Sequence, residues 1–153
     1  MSALSREDYN RLPPYLREVD LSQGEVLYEQ DTLIETAYFP CQAMVSLVQV
    51  MEDGSTIEAG IVGKDGIVGY ATFLGGNFSN SRAIVQIPGK ALAISAGVLK
   101  AEFDRREGLH KLLLLYLEVL LSQISQTAAC NRFHSTEQRL ARWLLQSQDL
   151  VVI

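Results

Sequence analysis

The sequence predicts a mainly β protein with helices: an antiparallel double-stranded β-helix, or jelly roll, flanked by short helices and followed by a long helix. Three observations lead there. Between Leu21 and Ser95, short β-branched and apolar runs are punctuated by glycines at 24, 54, 60, 63, 66, 69, 75, 76 and 89, the texture of many short strands joined by tight turns. From Leu109 to about Arg132 there is neither glycine nor proline, which predicts one helix of roughly 24 residues and about 36 Å. Apolar residues make up 48% and charged residues 20% of a 153-residue chain, enough to build a core without disulfide or metal staples.

In chain order, Ser5-Arg6-Glu7-Asp8 has the form of a capped helix start, and Pro13-Pro14 stops that helix after about two turns. Strands are predicted at Glu25 to Tyr28 and Thr36 to Phe39. Ala43 to Val50 and Thr56 to Val62 read as a hairpin, because Glu52-Asp53-Gly54-Ser55 between them accepts positive φ. Arg82 to Ile87 and Lys90 to Ser95 complete the strands, with Pro88-Gly89 expected to turn that pair. Ala96 to Arg105 then places Val98, Leu99 and Phe103 at helical spacing, and Gly108 separates this short helix from the long one.

The long helix holds the most informative pattern. Leu113, Leu117, Leu120, Ile124, Thr127 and Asn131 recur at alternating spacings of four and three, the seam of a coiled coil, which predicts a homodimer. A second apolar set, Leu112, Leu115, Tyr116, Val119 and Leu121, widens the apolar surface beyond one partner helix, so the rod is expected to pack on the roll and on a twin. Ser135-Thr136-Glu137-Gln138 matches a capping box, and Leu140, Trp143, Leu144 and Leu145 form the apolar face of the helix it opens. With the chain stopping at Ile153, that face is expected to lack a downstream partner.

Several functions are disfavoured. Net charge is -5 and no Lys/Arg cluster precedes Arg132, so this segment is not expected to hold DNA itself; Arg132, Arg139 and Arg142 read as a solvated face. Cys41 and Cys130 lack CxxC spacing and no signal peptide precedes them, which points to cytoplasmic thiols, and two cysteines fall short of an iron-sulfur site. The longest apolar run, Leu112 to Leu117, is interrupted by Glu118, so no membrane span is expected. His110 and His134 both fall outside the strands, so no metal site is expected, and the four-residue spacing of Cys130 and His134 reads as coincidence. No GxSxG, P-loop or HExxH pattern occurs, and Glu52, Asp53 and Asp65 lie in turns, so the protein is not expected to be an enzyme.

The order of these elements, together with two stretches, resembles the CRP/FNR family of transcription regulators across essentially the whole chain. Asp65-Gly66-Ile67-Val68-Gly69 resembles the opening of that family's phosphate cassette. Asn131-Arg132-Phe133-His134-Ser135 through Gln138-Arg139-Leu140-Ala141 resembles its hinge and the helix beyond. The resemblance implies a cyclic nucleotide-binding-like roll over 1–106, a dimerisation helix and hinge over 107–134 with Phe133 and Ser135 at the hinge, and over 135–153 the first helix of a winged-helix DNA-binding domain that is cut short. DNA contact is then implied only for the missing remainder. The cassette positions carried over are Gly69, Tyr70, Ala71, Arg82 and Ala83, with Ser125 from the long helix as the adenine-side hydroxyl beside Ile124.

Tyr70 stands where nucleotide-binding members carry a ribose-binding glutamate, and it offers a bulky phenol in place of a charged acceptor. Arg82 is one residue out of step with the phosphate ligand when counted back from Val85, and such a slip turns a side chain to the opposite face. Cyclic AMP is therefore not expected as a ligand, no cofactor is assigned, and the effector is an unidentified small molecule. The competing reading is a stand-alone cyclic-nucleotide-binding module that acts without DNA.

Overall fold

The structure, a computed structural model, describes residues 6–151. Ser5, the expected cap of the leading helix, lies outside them. Helix α1 (Arg6–Arg11) is followed by a 3₁₀ turn at Pro13–Tyr15, where the prolines end the helix as predicted. Seven strands follow: β1 (Arg17–Leu21), β2 (Val26–Tyr28), β3 (Thr36–Pro40), β4 (Met44–Val50), β5 (Thr56–Val62), β6 (Arg82–Ile87) and β7 (Gly89–Ser95), with helix α2 (Ala71–Leu74) between β5 and β6. Helices α3 (Ala96–Asp104), α4 (Gly108–Phe133) and α5 (Thr136–Leu150) complete the described chain.

The strands form two antiparallel sheets, β1-β7-β3 and β2-β6-β4-β5, which face each other as a jelly roll. The β4–β5 hairpin forms as expected. Gly54 takes φ 82° in its turn, and Asp53 Oδ1 accepts from the Ser55 amide at 2.9 Å. The Pro88-Gly89 expectation is corrected. β6 and β7 do not pair; each belongs to a different sheet, so Pro88-Gly89 passes the chain across the roll. Gly89 is required there, because a Cβ would lie 2.8 Å from the Ala43 nitrogen. Two elements escaped the sequence reading: β1, Arg-Glu-Val-Asp-Leu, in which three of five residues are charged, and the single-turn α2.

Two apolar clusters make up the core. Val45, Leu47, Val62, Val68 and Val85 fill the space between the sheets, and Phe73, Ile67, Ile94, Leu99 and Phe103 fill the junction with α3. Helix α4 closes both, since Leu120 belongs to the first cluster and Leu109 and Leu113 to the second. Each such leucine contributes about 1.5–3 kcal/mol by leaving water.

That placement corrects the seam expected from sequence. Leu113, Leu120 and Thr127 are buried within the chain and are not available to a second copy, while Leu117 and Ile124 are half-buried and Asn131 is exposed. A spacing of three and four aligns side chains on one face without specifying what covers it. An overlapping stripe, which keeps Leu117, Ile124 and Asn131 and takes Leu114, Leu121 and Ala128 in place of Leu113, Leu120 and Thr127, has the same alternation, and its Leu114 and Leu121 are 44% and 65% exposed. Serving two faces also makes α4 long and apolar enough, by length and composition alone, to cross a membrane, which the interrupted run Leu112 to Leu117 had argued against.

Ser135 caps α5 in the predicted box: its Oγ accepts from the Gln138 amide at 3.3 Å, and Gln138 Oε1 accepts from the Ser135 amide at 3.0 Å. His134 links α4 and α5 in an extended conformation, between Phe133, 80% exposed, and the Ser135 cap, the two positions expected at a hinge. Helix α5 returns toward the roll. Arg142 donates to Thr127 Oγ1 at 3.2 Å, and the Lys64 amide donates to the Leu150 carbonyl at 3.1 Å. Its Leu140, Leu144 and Leu145 face solvent.

Candidate functional site

The candidate site is built from the turn after β5 outward. Gly69 adopts φ 98°, a left-handed conformation that a side chain resists, and a Cβ there would meet Ala37 at 3.3 Å. The turn opens α2, where the Thr72 amide and hydroxyl both bond the Gly69 carbonyl, and α2 ends at Gly75 with φ 90°. The loop that follows is tied across the roll by backbone bonds, from Asp31 to the Ser79 carbonyl and from Ile34 to the Asn77 carbonyl, both at 2.8 Å.

The side chains of this cassette bond to one another. The Tyr70 phenol donates to Asn80 Oδ1 at 2.8 Å, and the Asn80 carbonyl accepts from Gln49 Nε2 at 2.7 Å. Arg82, at the start of β6, donates to Glu29 Oε2 at 2.6 Å. Both members of that ion pair are partly exposed, so its contribution to stability is small, but it fixes where the guanidinium lies. Ala83 is buried under the cassette and Ala71 is half-buried. Ile124 packs with Tyr70 and Ala71 against the first core cluster, whereas Ser125 is exposed on α4 and is not gathered with them.

Tyr28 and Tyr116 stand behind Tyr70. Burial pushes both phenols well above the ordinary range, and the proximity of Tyr70 adds to it, so both remain neutral hydrogen-bond donors. Tyr116 Oη donates to the Ile67 carbonyl at 3.4 Å, a long contact. Glu29, Asn80, Tyr28 and Tyr116 were not among the residues picked from sequence. Glu29 and Arg82 are 53 positions apart, and no local spacing announces such a pair.

Two cavities accompany the site, and neither is lined by the six cassette positions. One, of about 670 Å³, lies between α4, the turn at 63–67 and the end of α5; a shallower one, of about 380 Å³, lies between the start of α5 and β5. Among the described residues no cluster of three or more His, Cys, Asp or Glu side chains could hold a metal ion, and both Cys41 and Cys130 are free thiols.

The site is thus a roll closed by a glycine-opened turn, a one-turn helix and a strand-initial arginine, with a long helix laid across it. The chain belongs to the cyclic nucleotide-binding domain family, which matches residues 18–106. A search of curated proteins returns no match.

Among solved structures, the chain resembles the c-di-GMP-responsive global regulator CLP of Xanthomonas campestris, with a TM-score of 0.72, 16% identity, and coverage of 92% of this chain and 70% of that one. FixK2 of Bradyrhizobium japonicum gives a TM-score of 0.72 at 16% identity, covering 90% and 68%. The N-terminal domain of a transcriptional regulator from Streptomyces coelicolor A3(2) gives 0.60 at 21% identity, covering 80% and 87%. At these identities the likeness establishes the fold alone.

Proposed function

We propose that this chain is the sensing and dimerising portion of a CRP/FNR-type transcription regulator whose cassette does not take a cyclic nucleotide. The observation that carries the first half is the outer stripe of α4. Leu114, Leu117, Leu121, Ile124, Ala128 and Asn131 repeat as a coiled-coil seam on a helix whose inner face is already occupied by the roll. Its Leu114 and Leu121 are exposed, and a second copy related by a two-fold axis along the rod would cover them. Movement of α4 against the roll would then reach α5 through the linker at His134.

The second half is supported by the state of the cassette side chains. Arg82 is paired with Glu29, so a phosphate would have to compete with a carboxylate already in place. The Tyr70 hydroxyl is engaged by Asn80 and its ring packs against the core of the roll, so the position offers no free charged acceptor to a ribose. Ser125 faces solvent, so the hydroxyl expected on the adenine side is not turned to the cassette. These residues do not fit a cyclic nucleotide.

Calorimetry with cyclic AMP and cyclic GMP tests this reading. The expected result is no saturable heat at concentrations of either nucleotide up to about 1 mM. Micromolar binding that Arg82→Ala abolishes would overturn it in favour of a stand-alone nucleotide-binding module.

A further inference from the structure

We propose that the cavity between α4, the turn at 63–67 and the end of α5 is an effector site for an apolar monocarboxylate, an acyl chain bearing one acidic group. At about 670 Å³ it is within the range of roughly 300–1,000 Å³ that holds small ligands. Its walls are aliphatic and aromatic, with Leu12, Phe39, Leu112, Leu115, Val119 and Leu150 contributed by four separate parts of the chain. Such a lining favours a hydrocarbon body over a sugar or a base, because a buried polar group without a partner is costly.

The charged and polar side chains of the lining set the head group. Gln123 Oε1 is engaged by the Ile61 amide at 3.0 Å. Lys64 is exposed and has no carboxylate within ion-pair distance among the described residues. Lys64 is thus the cation open to an anionic head group, and Asp65 next to it offsets that charge, which weighs more heavily against a polyphosphate than against a single carboxylate.

This position couples a ligand to the rest of the molecule. The Lys64 amide holds the Leu150 carbonyl at 3.1 Å, and Gly63 makes room for that contact, since a Cβ on it would lie 2.5 Å from Leu150 Cβ. Roll, α4 and α5 therefore meet at the cavity, and an occupant touches all three. Val119 and Leu121 are separated by about 200° around the helix, so the cavity and the proposed dimer stripe lie on different flanks and can be filled together. The regulatory consequence rests on the sensor reading above; the binding itself does not.

Dodecanoate and dodecan-1-ol, titrated into the full 153-residue chain below their aggregation limits, provide the test, read by calorimetry and by the emission of Trp143, the one tryptophan, which sits on α5. One equivalent of dodecanoate per chain should bind with micromolar affinity and shift that emission. Lys64→Gln should weaken dodecanoate about tenfold, the loss of one charge-assisted contact, and leave dodecanol unchanged. Leu115→Glu, at a half-exposed wall position, should abolish both.

Leu114→Glu, on the opposite flank, separates this site from the dimer reading, because it should leave dodecanoate binding intact even if the chain becomes monomeric. The proposal is overturned if wild type binds neither compound below about 1 mM. It is equally overturned if Leu115→Glu binds as well as wild type, the sign of non-specific adhesion, or if Lys64→Gln affects the acid and the alcohol alike.

Discussion

Tyr70 and Asn80 close the cassette loop on itself: the phenol donates at 2.8 Å to a side-chain carbonyl whose backbone is in turn held by Gln49. The bond bridges ten residues containing three glycine or positive-φ positions, Gly75, Gly76 and Asn77, that would otherwise leave the loop loosely constrained. Tyr70→Phe should lower unfolding free energy by about 1 kcal/mol or less, since the pair is solvent-exposed, and should speed amide exchange across 75–80 well beyond that global change. Denaturant melts and hydrogen exchange measure the two effects.

Gly63→Ala should act on α5 more than on the roll. The new methyl would stand 2.6 Å from the Leu150 carbonyl oxygen, and backbone cannot yield as a flexible side chain can. The helix end should lift away, at a cost of about 1–3 kcal/mol. Limited proteolysis near Leu150 and a changed Trp143 emission report the release.

Ser135→Ala removes the acceptor for the Gln138 amide and half of the capping box. The expected loss is about 1 kcal/mol, confined to α5, with faster exchange in its first turn and no change in the roll.

Phe73→Ala should be the most damaging single change outside α4. The ring is fully buried and stacks on Phe103 with centroids 5.0 Å apart. A loss of about 3–5 kcal/mol is expected from transfer and cavity terms together, enough to leave a domain of this size marginal in a chemical denaturation series.

The buried phenols make the fold sensitive to alkali. Burial raises Tyr28 and Tyr116 above the ordinary phenol value of 10.0, so above that pH the unfolded chain releases protons that the folded chain retains. Stability is then full below about pH 10 and falls as pH rises. Phenolate absorbance followed against a far-ultraviolet signal should show these two groups ionising only with unfolding, and Tyr28→Phe should shift the transition to higher pH.

What was legible in the sequence was local. The turn at Asp53-Gly54, the Ser135 capping box and the glycine-free run of α4 each depend on residues within a few positions of one another, and each forms as expected. Strand pairing was less accessible: β6 and β7 are consecutive and joined by Pro-Gly, yet their hydrogen bonds go to strands far off in the chain, because a roll alternates its strands between two sheets. Strand β1 carries three charges in five residues and is recognisable only once β7 supplies its register. For the site, Gly69 and Tyr70 were evident from the cassette-like stretch, but the Glu29 partner of Arg82 arrives from a different strand end. On α4, two overlapping stripes have the same spacing, and the roll decides that Leu114 and Leu121 remain outside while Leu113 and Leu120 are buried.

That choice is most directly tested by cross-linking. In a Cys41→Ser background, which removes the exposed native thiol, Leu121→Cys places a thiol on the outer stripe and Val119→Cys one on the cavity flank. Equivalent seam positions of a parallel pair approach within the 4.4–6.8 Å Cα separation, roughly, that a disulfide requires. Mild oxidation should therefore convert the Leu121→Cys protein to a covalent dimer and leave the Val119→Cys protein monomeric under denaturing conditions. A Leu121→Cys protein that stays uncross-linked while Val119→Cys links efficiently would contradict the dimer proposed here.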